Sequence, residues 1–227
     1  MAFAWVRPQS QQWIEAQGNS EVNAVQADQA AALLRSDYER WSRWGLGVAS
    51  FLGTSAGAVT VGLAADAVTQ SFTAFTTAEQ LLVAGIAVVG LLLASASSIV
   101  LVRLWRTGRR LVRASIWWMK LPYTRWGRRR HAAGWIEART VNFEPTIYAR
   151  IATGSLAFLA GIFGLSMLFA PAEVRGDFTG MVTAFAVVGT LGISCGLGQI
   201  GGVMGIVSGV SERDPLWVRI RSAFQRS

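Results

Sequence analysis

Residues 81–102 read LLVAGIAVVGLLLASASSIVLV, a run with no charged residue and no proline. As an α-helix rising 1.5 Å per residue it is about 33 Å long, enough to cross a hydrocarbon core about 30 Å thick. Residues 45–65 and 181–210 are equally uncharged, and 147–170 carries only Arg150, near its start. In lipid every backbone amide must find its partner within its own segment, and these Ala/Val/Leu/Gly runs lack the alternating polar residues of a barrel strand. The expected fold is therefore all-α, a polytopic integral membrane protein with four transmembrane helices.

Composition points the same way, because 52% of the 227 residues are hydrophobic and only 15% charged, more apolar than a soluble domain of this length normally buries. The formal net charge is +8, and Lys120 is the only lysine, so the positive charge is almost entirely arginine. A high-G+C bacterial genome accounts for that bias together with the Ala, Gly and Val richness. Cys195 stands alone inside the fourth span, which excludes an intramolecular disulfide and a cysteine metal site. Residues 1–43 are polar and mixed in charge, without the apolar core of a cleavable signal peptide, so the first span is expected to direct insertion.

Loop charge sets the expected orientation. Residues 66–80 hold Asp66 and Glu79 but no Lys or Arg, and 171–180 set Arg175 against Glu173 and Asp177, whereas 103–150 are crowded with arginine. The positive-inside rule then places both termini and the central segment in the cytoplasm. The expected organisation is a cytoplasmic amphipathic N-terminal segment (1–43), a transmembrane hairpin (44–102), a basic cytoplasmic connector (103–146), a second hairpin (147–210) and a cytoplasmic interfacial helix (211–227). The membrane expected is a bacterial inner membrane. Both hairpins begin on the same side, so any internal repeat would be parallel.

The connector opens with a helical pattern. At about 100° per residue, Leu101, Leu104, Trp105, Leu111, Val112, Ile116 and Met119 fall within an arc of about 140°, opposite Arg103, Arg106, Arg109, Arg110, Arg113 and Lys120. A basic amphipathic helix is expected over 101–120, ended by Pro122. Its apolar stripe either lies in the headgroup plane of the bilayer or packs on another helix. Trp105, Trp117, Trp118, Tyr123, Trp126 and Trp135 favour the lipid interface. The cations expected to meet anionic lipid of the cytoplasmic leaflet are these six with Arg128, Arg129 and Arg130. Nucleic acid is the lesser partner for Arg128–Arg129–Arg130, because topology and anionic lipid already demand such a cluster there.

Toward the N-terminus, Gly18–Asn19–Ser20 reads as a turn and cap. After it Val22, Val25, Ala32, Leu33, Tyr38 and Trp41 can share a helical face. Glu15, Glu21, Asp28, Asp37 and Glu39 make this segment slightly acidic, suited to folding back on the connector, to meeting a cytoplasmic partner, or equally to serving as a solvated lead-in helix to the first span. Near the other end Asp214–Pro215 opens a helix with Leu216, Trp217, Ile220 and Phe224 on one side and Arg219, Arg221 and Arg226 elsewhere.

Within the spans glycine is the informative residue. Gly192/Gly196, Gly198/Gly202 and Gly201/Gly205/Gly209 give overlapping small-xxx-small spacings in the fourth span, and Gly53/Gly57 another in the first. Such flat stripes let helix backbones approach, within one bundle or between subunits, where lipid supplies no hydrophobic drive. No catalytic constellation accompanies them: His131 is the only histidine, Ser194 and Cys195 have no evident activating base, and no phosphate-binding loop is present. No metal or cofactor is expected. Two functions fit: a non-enzymatic membrane subunit or scaffold that assembles with itself or with other membrane proteins, or a pore subunit lined by Thr54, Ser55, Thr60, Ser95, Ser97 and Ser98.

Cysteines introduced at Thr76 and Gly176, in a Cys195→Ser background, are expected to react with an impermeant thiol reagent in intact cells, and one at Gly127 to stay unlabelled. Labelling at Gly127 alone would reverse the orientation.

Overall fold

The computed structural model describes residues 5–18, 22–71, 75–171, 176 and 178–224, and among these the chain is all-helical. The helices are α1 (Pro8–Glu15), α2 (Ala24–Tyr38), α3 (Trp41–Ser71), α4 (Thr77–Arg125), α5 (Ala132–Thr140), α6 (Pro145–Ser166), α7 (Thr179–Val210) and α8 (Pro215–Phe224). Short 3-10 turns follow α5, α6 and α7. Four helices are long and apolar enough to cross a membrane; three contain their apolar runs, and α6 ends at Ser166, before the end of the run 147–170. Asn19, Ser20, Glu21, Glu173, Arg175, Asp177 and Arg226 lie outside the described residues.

Two helix ends differ from expectation. Asp66, assigned to a loop, lies inside α3, which continues to Ser71. Its buried carboxylate accepts the N–H groups of Gly180 (2.6 Å) and Met181 (2.8 Å) in the first turn of α7, where the helix dipole favours negative charge. That anchorage explains how a charged residue sits within a packed helix. Thr76 and Glu79 then form a capping pair that starts α4: the Glu79 carboxylate accepts the Thr76 N–H at 2.7 Å, and the Glu79 N–H reaches Thr76 Oγ1 at 3.4 Å. Pro122 does not end α4, which runs on to Arg125. Proline this close to the last turn forfeits one backbone hydrogen bond without breaking a long ladder, and its ring is fully buried. Gly127, at φ +58°, makes the turn that follows.

The chain divides into two compact units. One comprises Met1–Trp44, Leu104–Ala152 and Gln199–Ser227; the other comprises Gly45–Arg103 and Thr153–Gly198. In the first, Ala27, Ala30, Ala31, Leu34 and Tyr38 of α2 pack with Leu111, Val112, Ala114, Trp118 and Met119 of α4 and with Val203, Ile206 and Val210 of α7. The α2 residues recur at helical spacing, and their small size lets the helices come close. Asn23 and Gln26 cap α2 reciprocally, at 2.9 and 3.0 Å. The buried face of α2 matches the expected one in part: Tyr38 is buried and Val22 packs against the core, but Val25, Ala32 and Leu33 are exposed, and Trp41 belongs to α3 and is also exposed. Sequence hydrophobicity favoured the large residues, whereas packing selected the alanines.

The N-terminal segment folds back on the connector. Arg128 makes a bidentate pair with Asp28 at 2.9 and 2.7 Å, and Arg35 pairs with Glu39 (2.7 Å) and with Glu144. Trp118 is fully buried, donates its indole N–H to the Trp13 carbonyl at 3.0 Å and meets the Trp13 ring edge-on. The Leu111, Val112 and Met119 part of the α4 stripe is thus covered by other helices, while Trp105 near its start stays exposed. Its buried arc is also rotated from the expected one, taking in Ala114, Ser115 and Trp118 and leaving Trp105 half exposed. Arg150, the charge in the third apolar run, donates to the Tyr38 carbonyl at 2.7 Å and stacks on the Tyr38 ring.

Replacing Trp118 by alanine removes a fully buried indole and is expected to destabilise the first unit by about 3–5 kcal/mol. Trp105→Ala, at an exposed position, is expected to change stability by about 0.5 kcal/mol or less. Thermal unfolding of the detergent-solubilised chain checks the contrast; equal shifts for both variants would contradict the burial.

Candidate functional site

Two surfaces hold the residues singled out in the sequence. The first is the set of glycine contacts in the second unit. A Cβ built on Gly57 of α3 would fall 2.5 Å from the Gly90 carbonyl oxygen and 2.6 Å from the Ala94 nitrogen of α4, and one on Gly53 would meet Ser97 Oγ at 2.6 Å. On α7, a Cβ at Gly192 would lie 2.5 Å from the Ala157 carbonyl oxygen of α6, and one at Gly196 would lie 2.7 Å from that of Gly154. Real Cβ atoms do not approach backbone so closely, so Gly57, Gly192 and Gly196 admit only glycine at the observed helix separation, whereas at Gly53 the close atom is a serine side chain.

The remaining glycines of α7 have different neighbours. In the first unit Gly202 faces the Tyr38 hydroxyl, Gly205 faces Val112 and Ile116 at 3.0 and 3.1 Å, and Gly209 faces Met119. Gly201 points into open space, beside exposed Met204. Gly198 is half-buried in α7. The single stripe inferred from spacing therefore serves three neighbours and leaves one glycine uncovered.

Sequence reasoning missed the partner glycines. Gly62 and Gly180 bring α3 against α7, while Gly161 and Gly164 bring α6 against Gly189 of α7. A Cβ on Gly161 would sit 2.6 Å from the Ile193 nitrogen. The signal available was the run Gly154, Ala157, Gly161 on one face of α6, at helical spacing but without the glycine density of α7. The hydroxyls considered as a pore lining serve α3 and α4 in part: Thr54 Oγ1 donates to the Ser50 carbonyl at 2.9 Å and lies 3.5 Å from Ser98 Oγ, and Thr60 donates to Ala56 at 2.9 Å. Ser95 is exposed.

The second surface is the arginine face of α4. Arg103, Arg106, Arg109, Arg110 and Arg113 are all exposed. Trp105, Arg106, Arg109, Arg110 and Arg113 line an open cleft of about 330 Å³. The Arg109 guanidinium lies 4.9 Å from the centre of the Trp105 ring, and Arg113 Nε donates to the Arg109 carbonyl at 3.3 Å.

The rest of the expected lipid-binding set divides. Arg128 is held by Asp28, and that hydrogen bond raises its pKa further; Lys120 (4.0 Å) and Arg130 (3.7 Å) converge on buried Glu212, which also pairs with Arg221 at 2.5 Å. Arg129 is exposed. Near the C-terminus, burial works to raise the Asp214 carboxyl, but hydrogen bonds from Arg139 and from the N–H groups of Leu216 and Trp217 outweigh it and hold the group below the ordinary carboxylate value. This keeps Asp214 charged as the cap of α8. His131 is exposed beside α5, and among the described residues no three His, Cys, Asp or Glu side chains are placed to share a metal ion.

Comparison with models of known protein families, with characterised proteins and with solved structures gave no significant match.

Leucine at Gly192 or Gly161 would force α6 and α7 apart and is expected to lower the thermal midpoint and the accumulated level of the chain, as backbone overpacking costs about 1–3 kcal/mol or more. Leucine at Gly201, which meets no atom of its own chain, is expected to leave the accumulated level and helical content unchanged. Equal accumulation and equal helical content for all three variants, read by expression level and circular dichroism, would contradict the contact assignments.

Proposed function

We propose that this chain is a non-enzymatic integral membrane subunit or scaffold that assembles with itself or with partner membrane proteins in a bacterial inner membrane. Its four long apolar helices cross the bilayer as two hairpins. Both termini and the connector lie in the cytoplasm, where a folded module presents an arginine face to the anionic leaflet.

The observation that carries the reading is the outward surface of the long helices. Leu81, Leu82, Leu92, Leu156 and Phe163 are each more than 60% exposed. Water does not tolerate so continuous an apolar surface on a monomer, whereas lipid supplies its natural solvent. Exposed aromatic residues mark the ends of these helices on the connector side: Trp41 begins α3, Trp105 follows the second apolar run, Tyr148 begins the third and Trp217 follows α7. Amphipathic rings collect at the membrane–water boundary. The loop charges support the orientation, and the arginines concentrated on α4 support contact with anionic headgroups.

Assembly is supported by Gly201, a glycine left in open space on an otherwise apolar helix. A bare backbone patch of that kind suits close approach of another helix. The experiment is multi-angle light scattering of the chain in mild detergent. A particle containing more than one 24.5 kDa polypeptide is expected, and Gly201→Leu is expected to reduce its mass while preserving helical content. A single polypeptide per particle, for unmodified and substituted chains alike and without a co-purifying membrane protein, would overturn the assembly role.

A further inference from the structure

The cations of the first unit fall into two groups. Arg128 pairs with Asp28, Arg139 with Asp214, Arg221 with Glu212, Arg35 with Glu39, and Arg213 with Glu137. Arg106, Arg109, Arg110 and Arg113, by contrast, have no carboxylate within ion-pair distance among the described residues. Four guanidinium groups therefore share one cleft of about 330 Å³ without an internal counterion. Their mutual repulsion is relieved by a bound anion.

Spacing defines the kind of anion. Arg106/Arg110 and Arg109/Arg113 are two i,i+4 pairs, the members of each about 5–6 Å apart at Cβ. The pairs are offset by three residues, about 4.5 Å along the axis. Each pair can fork onto one phosphate, as guanidinium groups do. A single phosphodiester would neutralise one of the four charges and occupy half of the array. Two phosphates joined by a short linker match both pairs, and Trp105 adds an aromatic ring to the lining, with the Arg109 guanidinium 4.9 Å from its centre.

Position defines the source. Arg106 stands four residues beyond Val102, about 6 Å past the end of the apolar run, within the headgroup layer, which adds about 5–8 Å on each side of the hydrocarbon core. Side chains on a helix lean toward its N-terminus. On α4 that direction is toward the apolar run, so Arg109 and Arg110, about 10–12 Å past it, lean back toward the headgroups, and Arg113, about 16 Å past it, forms the outer end of the array. We infer that the cleft formed by Trp105, Arg106, Arg109, Arg110 and Arg113 binds an anion with two linked phosphates, presented by the headgroup of a membrane lipid. The inference rests on the membrane reading above and narrows a general attraction to anionic lipid to one site and one headgroup chemistry.

The test uses the full chain, stripped of lipid in mild detergent and titrated with diphosphatidylglycerol, with phosphatidylglycerol at equal phosphate, and with sodium pyrophosphate, reading bound ligand by native mass spectrometry. Diphosphatidylglycerol is expected to bind one per chain, about tenfold more tightly than phosphatidylglycerol. Arg106→Gln/Arg110→Gln is expected to abolish that preference, whereas Arg125→Gln, at an exposed cation of α4 outside the cleft, is expected to keep it. Equal affinity for the two lipids would overturn the paired-phosphate site and leave general anionic attraction standing. Tight pyrophosphate binding without preference between the lipids would overturn the lipid source. Recovery of the chain in the soluble fraction without detergent would instead overturn the membrane reading itself.

Discussion

Helix backbones in the second unit approach until no side chain fits between them. At Gly57 a Cβ would fall 2.5 Å from a carbonyl oxygen of α4, and at Gly192 one would fall 2.5 Å from a carbonyl oxygen of α6. In lipid, where apolar side chains gain nothing by leaving their surroundings, dispersion between surfaces this close is the main attraction available. The Asp66 carboxylate adds a charged anchor, joining α3 to the first turn of α7. Everything else about these helices follows from that closeness: glycine on the facing sides, and leucine, valine and phenylalanine directed outward.

The first unit is held by different physics. There α2 lays an alanine face on α4, Trp118 is enclosed, and most acidic residues are matched to an arginine. Such a core with matched charges supports the proposed placement of most of this unit in water, where burying apolar area is itself the driving force. Neutralising so many cations within the module leaves its excess positive charge on the outward side of α4. A continuous helix thus carries an uncharged surface over one part of its length and an arginine face over the next.

The four long helices were legible because an uncharged run of twenty or more residues has few alternatives, and 81–102 is an unambiguous case. Their ends were not. Asp66 resembled a loop residue because its partners, two amides of α7, are more than a hundred positions away in the chain. Pro122 resembled a terminator because sequence does not reveal that it stands within one turn of the helix end. The face of α2 was misjudged in part because hydrophobicity ranks Val25 and Leu33 above Ala27 and Ala30, whereas close packing against α4 ranks them the other way. For the candidate surfaces, spacing revealed the glycines of α7 but not which neighbour each meets, nor that Gly201 meets none. The arginines of α4 were legible as a face; their separation from the paired arginines at 128 and 130 needed the acids Asp28 and Glu212 to be placed.

Hydrogen–deuterium exchange of the chain reconstituted in lipid nanodiscs tests the division between a lipid-embedded unit and a water-folded one most directly. Amides of residues 85–100 and 185–196 should remain unexchanged over a day. Amides of residues 111–119 should exchange within hours through opening of the water-folded module. Exchange of all three segments at one common rate would mean that a single bundle opens as a whole in water, contradicting the account.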